Sequence, residues 1–160
     1  MTRAWPWLLV TAVVVALDQL SKLWIAHHFT YGDTQALLPV LSITLRFNPG
    51  AAFSLLADAS GWQRWLFTGL AVMVGAALVV WLSRLDSRRQ PLLAFSLSLI
   101  LAGALGNLID RVRIGHVIDF VAVHWKDAYF PAFNVADSAI TVGAILMLLD
   151  AWFGGRRRSS

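Results

Sequence analysis

The chain contains no cysteine and no glutamate, and only 14% of its residues are charged. Without cysteine there are neither disulfides nor thiolate metal sites. Without glutamate, all nine acids are aspartates, so any carboxylate chemistry here is aspartate chemistry. Charge this sparse, beside 58% hydrophobic residues and a mean hydropathy of +0.66, excludes a soluble domain of 160 residues, which would need far more polar surface. Internal repeats and low-complexity tracts are also lacking.

What the chain does have is long apolar runs. At about 20 residues per helical span, 160 residues suit four spans with modest loops and leave no room for a separate soluble domain. The runs predict spans at about 5–25, 65–82, 91–109 and 134–153 within a single membrane-embedded domain, 1–160. The first run follows Arg3 as a secretory signal would. No small-residue cleavage site follows it, and it continues into Asp18, Gln19, Ser21 and Lys22, so it reads as a retained helix.

The 13 lysines and arginines give a formal charge of +4. Arg3, then Arg84, Arg88 and Arg89, then Arg156, Arg157 and Arg158 fall in short segments that four spans place on one side. Such clusters in an apolar chain signal topology rather than nucleic-acid binding, and predict both termini inside. In the first outer connection, "LSITLRF" alternates Leu41, Ile43, Leu45 and Phe47 with polar residues, as a strand does, and "NPG" at 48–50 reads as a turn. The second connection, 110–133, reads as short irregular pieces. The fold expected is therefore an α-helical integral membrane protein with a small β-rich part outside.

Asp86 and Asp150 fall at the inner side, and Asp33, Asp58 and Asp127 in outer connections, all expected to be solvated or paired. Asp18 and Lys22, four apart, form an intrahelical pair. Asp110 adjoins Arg111, and Asn107 shares a face with Arg111, which reads as a structural polar cluster. Asp119, between Ile118 and Phe120, and Asp137, in "NVADSA", have no adjacent counter-ion. Intramembrane acids usually face a cavity, a partner or a reaction. Each would find a distant arginine, such as Arg46 or Arg111, or the two would meet. If they meet, they do not both ionise, and the pair can activate a water and protonate a peptide carbonyl without metal or cofactor. Asn134, three residues before Asp137, would position one acid or a substrate backbone.

Two other classes compete. A small proton-coupled transporter component would space acids through the membrane; Asp137 and Asp150 are about 20 Å apart along a helix with no acid between. A metal-dependent hydrolase would need ligand spacing that His27, His28, His116 and His124 do not supply.

Five blocks in order carry a family resemblance: "DQLSK" at 18–22, "NPGAAFS" at 48–54, "AGALGNLIDR" at 102–111, "VIDF" at 117–120 and "FNVAD" at 133–137. With them the chain resembles lipoprotein signal peptidase (signal peptidase II) over nearly its whole length. The resemblance implies a bacterial inner-membrane aspartyl protease that cleaves prolipoproteins before a diacylglyceryl-modified cysteine at the outer leaflet. It implies Asp119 and Asp137 as the catalytic pair. Asn48, Asn107, Arg111 and Asn134 would bind substrate or brace the pair, with Asp18 and Lys22 supporting. It further implies a cradle whose mouth lies near 50–53, no cofactor, and inhibition by globomycin-type peptides. Lacking cysteine, the chain is not its own substrate. Where the family often has two glycines opening the third block, this chain has Ala102 and Gly103, which loosens the expectation of tight helix packing there.

Overall fold

Proline opens two of the helices, where the amide it lacks would have had no intrahelical partner. The computed structural model describes residues 4–50, 62–126 and 128–158. Their elements are α1 (Trp5–His28), β1 (Thr34–Leu38), β2 (Leu41–Asn48), α2 (Trp62–Arg84), α3 (Pro91–Arg113), β3 (Val117–Trp125), β4 (Ala128–Tyr129) and α4 (Val135–Arg158). Arg3, Asp58, Asp127 and the expected cradle mouth at 51–53 lie outside the described residues, as do the side chains of Arg156, Arg157 and Arg158.

Each helix contains a stretch long and apolar enough to cross a membrane: Trp5–His28, Arg64–Arg84, Pro91–Arg113 and Val135–Phe153. At 1.5 Å per residue these are roughly 28–36 Å long, against a hydrocarbon thickness of about 30 Å. Outward side chains such as Leu9, Leu17, Met73, Ile145 and Leu148 are exposed in the isolated chain, and lipid would cover them. Helix α3 is central: 56% of its apolar stretch is buried, against 22% for α1 and 17% for α2 and α4. It runs a turn past the expected end at 109. Arg111 and Arg113 favour the helix C-terminus, and Arg64 of α2 donates to the Arg111 and Val112 carbonyls at 2.8 and 3.0 Å.

Small buried residues on α3, among them Ala94, Ser98, Ala102 and Gly103, let its neighbours approach closely. The serine hydroxyls turn back to their own helix, Ser96 to Leu92 and Ser98 to Ala94, both at 2.7 Å. Packing at the third sequence block is tight, contrary to expectation. A Cβ added at Gly103 would run into the backbone carbonyl of Ala136, while Ala102 is fully buried.

The second connection is not irregular. It holds the nine-residue strand β3, in a described antiparallel sheet of order β1-β2-β3-β4. Its alternating pattern is masked because its first four positions, Val117 to Phe120, are all buried, on one face by α1 and on the other by the site. Phe47 pairs with Ile118 and Asn48 with Val117. Gly115, at φ +86°, makes the turn from α3 into β3, a conformation other residues resist. A bridge between Val121 and Phe133 then sets the start of α4 beside β3.

Gly103→Ala is expected to destabilise the protein by about 1–3 kcal/mol, because backbone rather than a flexible side chain must yield. Gly69→Ala, with nothing within 4 Å of the added methyl, is expected to be neutral or stabilising. Thermal denaturation in detergent checks the pair.

Candidate active site

Asp137 is fixed by the way α4 begins. Asn134 precedes the helix, and its side-chain oxygen accepts the Asp137 amide at 2.9 Å. The Asp137 carboxylate in turn accepts the Asn134 amide at 3.3 Å. This reciprocal cap satisfies two amides that a helix start leaves open, and it leaves the acid's rotamer little freedom. The amide of Ala136, in the same turn, is taken by Asp18 of α1 at 2.9 Å. Asn107 of α3 donates to the other Asp137 oxygen at 2.8 Å.

Asp119 arrives from β3 and is only 3% exposed. Asn134 donates to one of its oxygens at 2.8 Å and Asn48 to the other at 3.0 Å. Asn134 therefore binds both acids, one through each end of its side-chain amide. Burial pushes the Asp119 carboxyl up to about 7, and the charge of nearby Asp137 adds to the rise. Hydrogen bonds from Asn48 and Asn134 and the charge of Lys22 pull the other way.

Beneath the two acids lies an ion cluster. Lys22 contacts Asp18 and Asp110, each at 2.8 Å, and all three side chains are nearly inaccessible. The ammonium also donates to Asn107 Oδ1 at 3.0 Å. Gln19 donates to Asp110 at 2.9 Å and to the Gly106 carbonyl at 3.2 Å. The ammonium thus ties α1 to α3, and Asp18, through the Ala136 amide, ties both to the start of α4.

The family described as signal peptidase (SPase) II matches residues 10–153. The chain belongs to the signal peptidase II family. It is 50% identical over 155 residues to the lipoprotein signal peptidase of Cellvibrio japonicus, covering 97% of this chain and 91% of that one. With the lipoprotein signal peptidase of Pseudomonas aeruginosa strain UCBPP-PA14 it shares 55% over 147 residues, 91% of this chain and 86% of the relative. A bacterial membrane enzyme solved by the in meso method at 2.3 Å superposes with a TM-score of 0.83 at 34% identity, covering 94% of this chain and 90% of that chain. A second, at 1.9 Å, gives 0.81 at 34% identity and covers 94% of both. Membership of the signal peptidase II family implies a protease.

The fold gathers Asp119, Asp137, Asn48, Asn107 and Asn134 at one place, with Asp18 and Lys22 behind them. Neither Asp119 nor Asp137 is ion-paired among the described residues. Arg46, a register partner of Asp119, and Arg111 are therefore not salt-bridge partners of the acids. Arg111 donates to the Asn107 carbonyl at 3.4 Å, lies 5.5 Å from the Phe67 ring and is within electrostatic reach of both acids. The Asp18–Lys22 pair is not only intrahelical, since Asp110 shares the cation. Asp110 is a full member of the cluster, and Gln19 was not singled out at all. Its place inside "DQLSK", next to Asp18, was the one available signal. Asp86 pairs with Arg89 at 3.4 Å, as expected. His28 binds the Trp24 carbonyl and His124 binds Ser42, well separated along the chain.

Lys22→Met would keep the bulk and strand two buried carboxylates without a cation. It is expected to lower stability by about 3–5 kcal/mol. A melting temperature in detergent equal to wild type would show that the cluster is not structural.

Proposed function

We propose that the chain is an intramembrane aspartyl endopeptidase that removes signal peptides from diacylglyceryl-modified prolipoproteins, with Asp119 and Asp137 as its catalytic pair. The observation that carries this reading is the side chain of Asn134, hydrogen-bonded to Asp119 and to the backbone amide of Asp137 while the Asp137 carboxylate closes the cap. Two carboxyls held this way, Asp119 buried and Asp137 half-buried, with no ion-pair partner among the described residues, retain one proton between them near neutral pH. The ionised member takes a proton from a water, whose oxygen attacks the scissile carbonyl carbon. The protonated member donates to the carbonyl oxygen. When the tetrahedral species collapses, the C–N bond breaks, the departing amine takes up the proton held by the base, and one hydroxyl of the diol returns its proton to the other carboxylate, which restores the starting pair. No metal or cofactor enters this sequence.

Asn48 and Asn107 brace the pair, and Arg111 is placed to hold a substrate carbonyl. A buried guanidinium Nε of Arg111 has no partner among the described residues, which suits that role. Peptides of the globomycin type would occupy the same place. The whole chain, 1–160, serves as one peptidase domain. The orientation that best fits the arginine pattern puts both termini in the cytoplasm and the sheet and acids at the outer leaflet of the bacterial inner membrane. Water then reaches the pair from outside while the lipidated precursor arrives from the bilayer. Family membership favours this reading over a transporter component.

Asp119→Asn and Asp137→Asn are each expected to reduce cleavage of a lipid-modified precursor by roughly 10²–10⁴-fold or more while the protein still inserts. Asp86→Asn, at an exposed loop pair, is expected to leave cleavage unchanged. Near-normal turnover in either site variant would overturn the assignment.

The pH profile is a separate test. Because the Asp119 carboxyl is raised to about 7, its proton is present below that pH and lost above it. Cleavage is expected to fall on an alkaline limb near pH 7, by about tenfold per unit beyond it. Asn48→Ala removes a hydrogen bond that favours the ionised form, so it should move the limb to higher pH. A profile flat from pH 6 to 9 contradicts the one-proton pair.

A further inference from the structure

The end of α3 carries a second arginine that the site network does not use. Arg113 is the last residue of that helix, exposed, and in no ion pair among the described residues. It borders a cavity of about 280 Å³ between α1, the end of α3 and the sheet, much larger than a packing void. Leu23, Ala26, Phe47 and Ile118 form its apolar wall. His116 lines it as well, with its ring 4.2 Å from that of Phe47. The cavity lies on the other face of the sheet from the two acids. Phe47 and Ile118 are register partners facing it, and side chains alternate along a strand, so Asn48 and Asp119 face away. Lys22 and Asp110 close its inner end, but each is already engaged with the other. Arg113 is therefore the cation this cavity has to offer.

We propose that the cavity is a binding site for an anionic phospholipid. The phosphate sits on Arg113 and the His116 ring N–H, and the glycerol and first methylenes lie along Leu23, Ala26 and Phe47. An arginine at a helix end near the membrane boundary reaches headgroup depth, and phosphate matches its forked geometry. A soluble anion would gain nothing from the apolar wall, whereas a lipid uses both halves. Leu23 and Ile114 at the rim are 52% and 46% exposed, so the opening merges with the surface that lipid covers. The site lies outside the proteolytic reading and stands without it.

The test uses the full-length chain in micelles containing equal phosphatidylglycerol and phosphatidylcholine, with bound lipid read by native mass spectrometry. Wild type should retain one phosphatidylglycerol in preference. Arg113→Gln should cut that retention roughly fivefold, the effect of one basic side chain on an anionic lipid. Ala26→Leu, which fills the cavity without touching charge, should also weaken it, and Arg88→Gln should not. Equal retention of the two lipids by wild type, or unchanged retention in Arg113→Gln or Ala26→Leu, would overturn the site. Displacement of the lipid by inorganic phosphate alone would overturn it too, by marking a pocket for a soluble anion.

Discussion

One buried ammonium organises this protein. Lys22 is 1% exposed, between Asp18 and Asp110, and taking such charges from water carries a penalty of several kcal/mol per ion. That penalty is tolerable only if every polar atom in the cluster finds a partner. The need for partners is what draws α1, α3 and the start of α4 together. Asp18 uses one oxygen on Lys22 and the other on the Ala136 amide, so a single carboxylate both neutralises the cation and caps a helix.

The same cation settles the orientation of the amides that hold the two acids. Lys22 can only donate, so the Asn107 atom facing it must be the oxygen, and the Asn107 NH₂ is then directed at Asp137. The Asp137 backbone amide likewise demands the oxygen of Asn134, which turns the Asn134 NH₂ toward Asp119. Neither flip is free. Order passes from an ion cluster outside the reaction, through two amides, to the two carboxyls, and each step follows from donor and acceptor identity alone. The rigid scaffold and the site are in this sense one hydrogen-bonded object.

Much of this was legible in the sequence, for reasons that can be stated. Four apolar runs gave four helices because span length is set by bilayer thickness, which leaves the pattern little latitude. Asp119 and Asp137 stood out because an acid among apolar neighbours without an adjacent cation is rare. Strand β3 was missed because its alternation disappears when both faces are buried, and the end of α3 because Arg64, 47 residues away, supplies the cap. Gln19 was overlooked for a similar reason. An amide on an apolar helix is informative only once its partners, here Asp110 and the Gly106 carbonyl, are known to lie on a different helix. Local pattern carried what is local, and the long-range hydrogen bonds needed coordinates.

The cluster also bears on how the two acids share a proton. An unshielded lysine below them would favour full ionisation of both, since its charge lowers the proton affinity of Asp119. With two carboxylates at 2.8 Å, that positive field is more than offset at longer range, because the cluster as a whole is negative. Burial and the mutual repulsion of the pair then dominate, and both favour keeping a proton. Asp18 and Asp110 thus have two consequences at once: they make a buried cation tolerable, and they prevent that cation from stripping the pair above it. A neutral side chain at either position would satisfy the hydrogen bonding in part but would leave a single carboxylate against the lysine, making the cluster more positive beneath the pair, so the requirement at 18 and 110 is for charge as well as shape.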